Sequence, residues 1–194
     1  MKRHAAGLAI LGAAMMTAGQ AEAGVNEAYV GVMQHNICVL DCKNADKEEG
    51  PNITFQVNFD SPGFLEWAFS PKPMIMASIN TQGDTSYAGF GLDWRFNITD
   101  NWSIDPSFGY VIHNGENSNP YPNNTPEAAE FADNHVLLGS DDLFRTGLGL
   151  TYHFDNAWML QGYFEHLSHG QILGEGRNQG LDEFGLRLGY RFGE

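Results

Sequence analysis

Near the C-terminus, His166 and Ser168 stand two residues apart in Phe164-Glu165-His166-Leu167-Ser168, and Asp182 follows in Asn178-Gln179-Gly180-Leu181-Asp182. A serine hydroxyl, an imidazole to take its proton and a carboxylate to hold the second ring nitrogen are the parts of an acyl-transfer triad. On an extended strand, residues two apart project to one face with Cα atoms roughly 6.5 to 7 Å apart, within reach of a His–Ser proton transfer. The chemistry therefore depends on strands that present both side chains on one surface.

Those strands are legible as alternation. From Tyr87 to Phe96 the even positions are Ala88, Phe90, Leu92, Trp94 and Phe96, and the odd ones include Gly89, Gly91, Asp93 and Arg95. This is a period of two with one apolar face and one small or polar face. The even-numbered apolar set recurs in Ile104 to Ile112, Phe144 to Phe154, Trp158 to Phe164 and Phe184 to Phe192. Opposite it lie Asp105, Ser107, Gly147, Gly149, Gln161, Glu165, Gly185, Arg187 and Arg191. Glu27 to Met33 and Asn52 to Phe59 alternate more weakly, and Pro73 to Thr81 is ambiguous because Met74, Ile75, Met76 and Ala77 are apolar on both faces.

Counting these runs predicts eight strands. Their even number, charged and glycine-rich second face and aromatic strand ends predict an all-β fold, an eight-stranded antiparallel transmembrane β-barrel of the outer-membrane type. A soluble β-sandwich or lipocalin-like periplasmic barrel would also alternate, but Asp93, Arg95, Asp105, Glu165, Arg187 and Arg191 are costly in a dry core and comfortable in a polar lumen. Gly193 and Glu194 depart from the pattern, because such proteins usually end on the aromatic residue, here Phe192.

The N-terminus gives the address. Lys2 and Arg3 precede an apolar run from Ala5 to about Ala18, too short to span a bilayer, and Ala21-Glu22-Ala23 supplies small residues for cleavage. Residues 1–23 read as a secretory signal peptide and 24–194 as one barrel domain in the bacterial outer membrane. Cleavage would remove Lys2, Arg3 and Glu22, making the net charge of −14 one unit more negative and nucleic acid an unlikely partner. A hydrophobic fraction of 42% with 23 Gly is ordinary for a β-rich domain. No later segment approaches the ~20 apolar residues of a membrane helix.

With the first strand starting at the periplasm, short turns at 97–101 and 155–156 fall on the periplasmic side and long links at 34–51, 114–142 and 169–181 lie outside the cell. The 60–72 link breaks this rule, being long yet periplasmic; its Phe64, Leu65, Trp67 and Phe69 suit an interfacial plug or a strand extension. Cys38 and Cys42, the only cysteines, read as a disulfide that pins the first external link and carries no chemistry. Nearby His35 leaves a metal site as the minor alternative.

His166 and Ser168 share even parity with Leu160 and Phe164, so both face lipid at the outer end of the seventh strand. Asp182, also even, sits at the matching end of the eighth. Position alone also suits polar residues in the headgroup layer. The span from Phe164 to Phe192 resembles the lipid A 3-O-deacylase family, eight-stranded outer-membrane barrels with a His-x-Ser pair and, after a loop, an Asn-x-Gly-x-acid motif on the last strand. The resemblance rests on that short motif, the strand count and the Gly-Leu-Arg-Leu-Gly-Tyr-Arg-Phe ending. It implies a serine esterase that removes the 3-O-acyl chain of lipid A in the outer leaflet with no cofactor. Ser168 would be the nucleophile, His166 the base, Asp182 the acid and Asn178 a stabiliser of the oxyanion.

The chain departs from that family in having His169 after the serine where Asn is common, Asp182 where Glu is usual, and a slightly longer intervening loop. If the shorter Asp182 fails to reach His166, Glu183 or Glu175 is the substitute, although Glu183 faces the other way by parity. His169 reads as a second base, a phosphate contact or, first of the three, a solvated loop residue. Arg177 suits a lipid phosphate, although an exposed loop arginine is more often just solvated, and the negative charge of the loops would disfavour an anionic lipid unless divalent cations bridge them. Two rival classes remain open, a phospholipid or general esterase with the same triad and a catalytically silent structural or adhesive barrel. An eight-stranded barrel leaves no room for a pore.

Overall fold

The computed structural model describes residues 24–192 except 41, 45 and 176, so the expected signal peptide at 1–23 lies outside the described residues. Nine strands form: β1 (Val25–Gln34), β2 (Pro51–Phe59), β3 (Lys72–Asn80), β4 (Tyr87–Asp93), β5 (Phe96–Asn97), β6 (Trp102–His113), β7 (Asp142–His153), β8 (Trp158–Ser168) and β9 (Leu181–Arg191). All pairings between these strands are antiparallel, and β1 pairs with β9, closing the sheet.

β4 and β5 are one stave of the barrel. Asp93 faces Ser107 and Phe96 faces Ile104, so the register against β6 is unchanged across the gap. The ladder breaks because Pro106 has no N–H to return the bond it receives from Trp94 N at 2.9 Å. The result is the predicted closed, eight-stranded antiparallel barrel.

The two faces divide as the alternation requires. Outside lie Phe55, Ile75, Phe108, Leu148, Leu160, Phe184 and Leu186, all well exposed. In β3 the ambiguity resolves with Met74 and Met76 inside and Ile75 outside. The lumen is filled by paired polar groups, which makes buried charge tolerable. Near its middle Arg187 donates to Gln161 and Gln56 and lies over the Tyr163 ring, 3.5 Å from its centroid. Above it Arg145 donates to Glu165, and the Tyr87 hydroxyl lies in hydrogen-bond contact with both Glu165 and Glu183. Below it Glu27 accepts from Lys72 at 2.7 Å and from Arg95. Gly147 is demanded by this packing, since a Cβ there would lie 1.8 Å from the Tyr163 hydroxyl.

The long links gather at one end. The 114–141 link contains a helix, α1 (Pro126–Asn134), started by Thr125 accepting from Ala128 N and by Pro126 in its first turn. Beyond it Val136 and Leu138 turn inward onto Met76, Tyr87, Val111, Leu143, Leu167 and Leu181, an apolar cap over the polar lumen. At the other end, the 60–72 link is neither plug nor strand extension. Gly63–Ala68 forms a 3-10 helix that leaves Phe64, Trp67 and Phe69 on the outside, tied to the barrel by Trp94 Nε1 donating to Ala68 O at 2.8 Å and by an edge contact of Phe69 with Phe96.

Candidate active site

In β8, odd residues from Met159 to Leu167 are buried inward and the even ones look out, so His166 and Ser168 emerge together at the loop end of the barrel. β9 runs beside it with Asp182 directly opposite His166. Directly opposed residues on neighbouring strands are close enough for a short side chain to bridge them. Asp182 Oδ1 accordingly lies 2.6 Å from His166 Nδ1. The concern that an aspartate would fall short is removed by this cross-strand register. With Nδ1–H donating to the carboxylate, Nε2 is the unprotonated nitrogen of the neutral ring.

Ser168 shares a groove with that ring. The groove, about 610 Å³, is lined by Leu40, Cys42, Asn44, His166, Ser168, Asn178, Gln179 and Gly180. Among the described residues no hydrogen bond joins Ser168 to His166, so the pair is adjacent but not engaged. Asn178 Oδ1 accepts from His169 N at 3.2 Å, which fixes the amide and leaves its Nδ2 as the donor end. Gly180 is needed beside the imidazole, because a Cβ there would lie 2.5 Å from His166 Cε1.

The two substitute acids do not reach the ring. Glu183 points into the lumen, where it accepts from Asn52 Nδ2 at 2.7 Å and pairs with His35 Nδ1 at 2.7 Å. Glu175 is exposed on the loop, which together with the direct Asp182 contact leaves it no part in the pair. His169 overturns the expectation of a solvated residue. It is completely buried, with Nε2 donating to Arg177 O at 3.1 Å and Nδ1 accepting from Gln171 N at 3.2 Å, so it staples the two limbs of the loop. Arg177 itself is exposed.

The first external loop was not anticipated at the site. Cys38 and Cys42 are joined as expected. The loop they close folds down over β9, so Asp182 is 1% exposed although its strand position faces outward. Val39 N and Leu40 N both donate to Asp182 Oδ2, the first at 3.3 Å, and Ile37 N donates to Asp182 O at 2.9 Å. Asn44 Nδ2 donates to Gly180 O at 3.0 Å. His35 binds no cysteine pair; it sits between Glu183 and Glu48, 2.7 and 2.9 Å away. Burial opposes its charge, but these hydrogen bonds outweigh burial and push its pKa up to about 9. Nothing in a single sequence marks backbone donors, which is why this contribution escaped the motif reading.

The family model described as outer membrane protein beta-barrel domain matches residues 6–192. No curated protein matches the chain in sequence. Among solved structures it is similar to the outer membrane enzyme PagL, with 14% identity and a TM-score of 0.54 over 87% of this chain and 100% of that one. It is similar also to the N-terminal β-barrel domain of Pseudomonas aeruginosa OprF, with 12% identity and a TM-score of 0.50 over 87% of this chain and 99% of that one. A de novo designed transmembrane β-barrel is alike at 9% identity and a TM-score of 0.50, over 89% and 99% of the two chains. At such identities the likeness is one of fold alone.

Proposed function

We propose, for a chain that belongs to the outer membrane protein β-barrel domain family and resides in the outer membrane, that it is a serine esterase acting on the 3-O-acyl chain of lipid A. The observation that carries this reading is the His166–Asp182 hydrogen bond on the outer surface of the barrel, with Ser168 and Asn178 in the same groove. In this reading residues 1–23 are the export leader, and the substrate meets the site from the outer leaflet.

Ser168 Oγ attacks the ester carbonyl while His166 Nε2 takes its proton, and Asp182 holds the imidazolium that forms. The Asn178 Nδ2 donor is placed to stabilise the oxyanion. As the intermediate collapses and the C–O bond to the sugar breaks, the imidazolium gives its proton to the departing sugar oxygen, which leaves as a hydroxyl, and water, activated by His166, then releases the fatty acid from Ser168. The gap between Ser168 and His166 closes on substrate binding, as catalytic hydrogen bonds often do. Below the pair, Phe164 faces Phe184 across β8 and β9, an apolar track for an acyl chain. No step in this scheme calls on a cofactor.

The test is mass spectrometry of lipid A after incubation with refolded protein, wild type against Ser168→Ala. Loss of one hydroxyacyl chain with wild type alone supports the reading. Unchanged lipid A with both, alongside released fatty acid from phospholipid, favours a phospholipid esterase. No hydrolysis of either lipid by a folded barrel would leave a structural surface protein.

A further inference from the structure

We infer that the turn closed by the Cys38–Cys42 bond is a working part of the site, a clamp in which the backbone N–H groups of Val39 and Leu40 hold the Asp182 carboxylate in line with His166. The inference deepens the esterase reading and rests on it for its kinetic consequence. A carboxylate has two oxygens, and here they are divided between two tasks. Oδ1 receives His166 Nδ1–H, while Oδ2 receives the N–H groups of Val39 and Leu40. The second set adds a restraint on rotation about the Cβ–Cγ bond that the single His166 contact does not supply. Two backbone donors on one oxygen restrain that torsion.

The loop is itself restrained at both ends. His35, between Glu183 and Glu48, anchors its start in the lumen. Asn36 Nδ2 donates to Asn44 O at 2.6 Å, joining the two limbs, and Asn44 Nδ2 ties the far limb to Gly180, the residue that seats the imidazole. The Cys38–Cys42 bond lies between these anchors and closes the short turn that carries both donors. The disulfide thus acts on the acid through the backbone, a positioning role distinct from pinning a loop for stability.

The experiment compares wild type with Cys38→Ser/Cys42→Ser, and Leu40→Pro with Leu40→Ala, in the refolded full-length barrel. Two readouts are taken, kcat and KM on lipid A in detergent micelles, and the far-downfield proton resonance of His166 Nδ1–H, assigned by its absence in His166→Ala. Folding of each variant is verified by its heat-modifiable gel mobility. The serine double variant is expected to lose about ten-fold in kcat, the scale of one charge-assisted hydrogen bond, and to broaden or lose the resonance. Leu40→Pro, which deletes an N–H, should fall well below Leu40→Ala, which keeps it. A folded double variant with wild-type kcat and an unchanged resonance would overturn the inference. If wild type has no esterase activity, the functional reading falls, and the resonance in the same variants still decides whether the loop holds the His166–Asp182 pair.

Discussion

At the residue scale, the catalytic candidates were readable because a strand has only two faces. Even parity placed His166, Ser168 and Asp182 on one surface and sent Glu183 to the other, and both placements follow from the pleat alone. Two features were beyond that logic. His169 looked like a solvated loop residue because nothing in its neighbours announces the carbonyl and amide that enclose it. Gly180 was visible in the motif but without a reason, which only the position of the imidazole supplies. Gly180→Ala should therefore displace the His166 ring and lower kcat about ten- to hundred-fold while the barrel remains folded, since misplacement by an ångström is costly in catalysis. Steady-state kinetics beside gel mobility will decide it, and wild-type kcat in the variant would contradict the close approach.

At the scale of elements, strands were legible and loops were not. Alternation located the long strands other than β3, whose Met74-Ile75-Met76-Ala77 run is apolar at every position, and it held even across the break at Pro106, because side-chain period survives a missing hydrogen bond. The external loops obey no period. α1 did carry a local signal in Thr125-Pro126, a cap followed by proline in the first turn. The inward turn of Val136 and Leu138 and the descent of the first loop onto Asp182 depend on partners far away in sequence. The first loop has a titration of its own. His35 is held near a pKa of about 9, above its ordinary 6.5, so its stabilising charge is complete below about pH 6.5 and is lost as pH rises through about 9. Limited proteolysis should show residues 36–50 becoming susceptible across that upper range in wild type, with no such step in His35→Gln. An identical step in both proteins would exclude His35 as its source.

At the scale of the whole molecule, composition and parity together gave the barrel, because an acidic and charged second face has no other comfortable place than a closed polar lumen. The interior is full. Arg145, Arg187 and Tyr163 are each about 1% exposed in the lumen, and the 136–138 segment closes it at the loop end. The refolded protein should accordingly give no steady conductance steps in planar bilayers under an applied voltage. A reproducible open level would mean that the cap and the lumen network give way in the membrane.

The outward placement of His166 and Ser168 also fixes how such an enzyme would meet its substrate. Encounter would take place by lateral diffusion within a leaflet, so that concentration is counted per lipid molecule and not per litre. Adding inert detergent or non-substrate lipid at constant enzyme and substrate should then slow turnover by surface dilution, and measured affinities would carry meaning only as mole fractions of the surface.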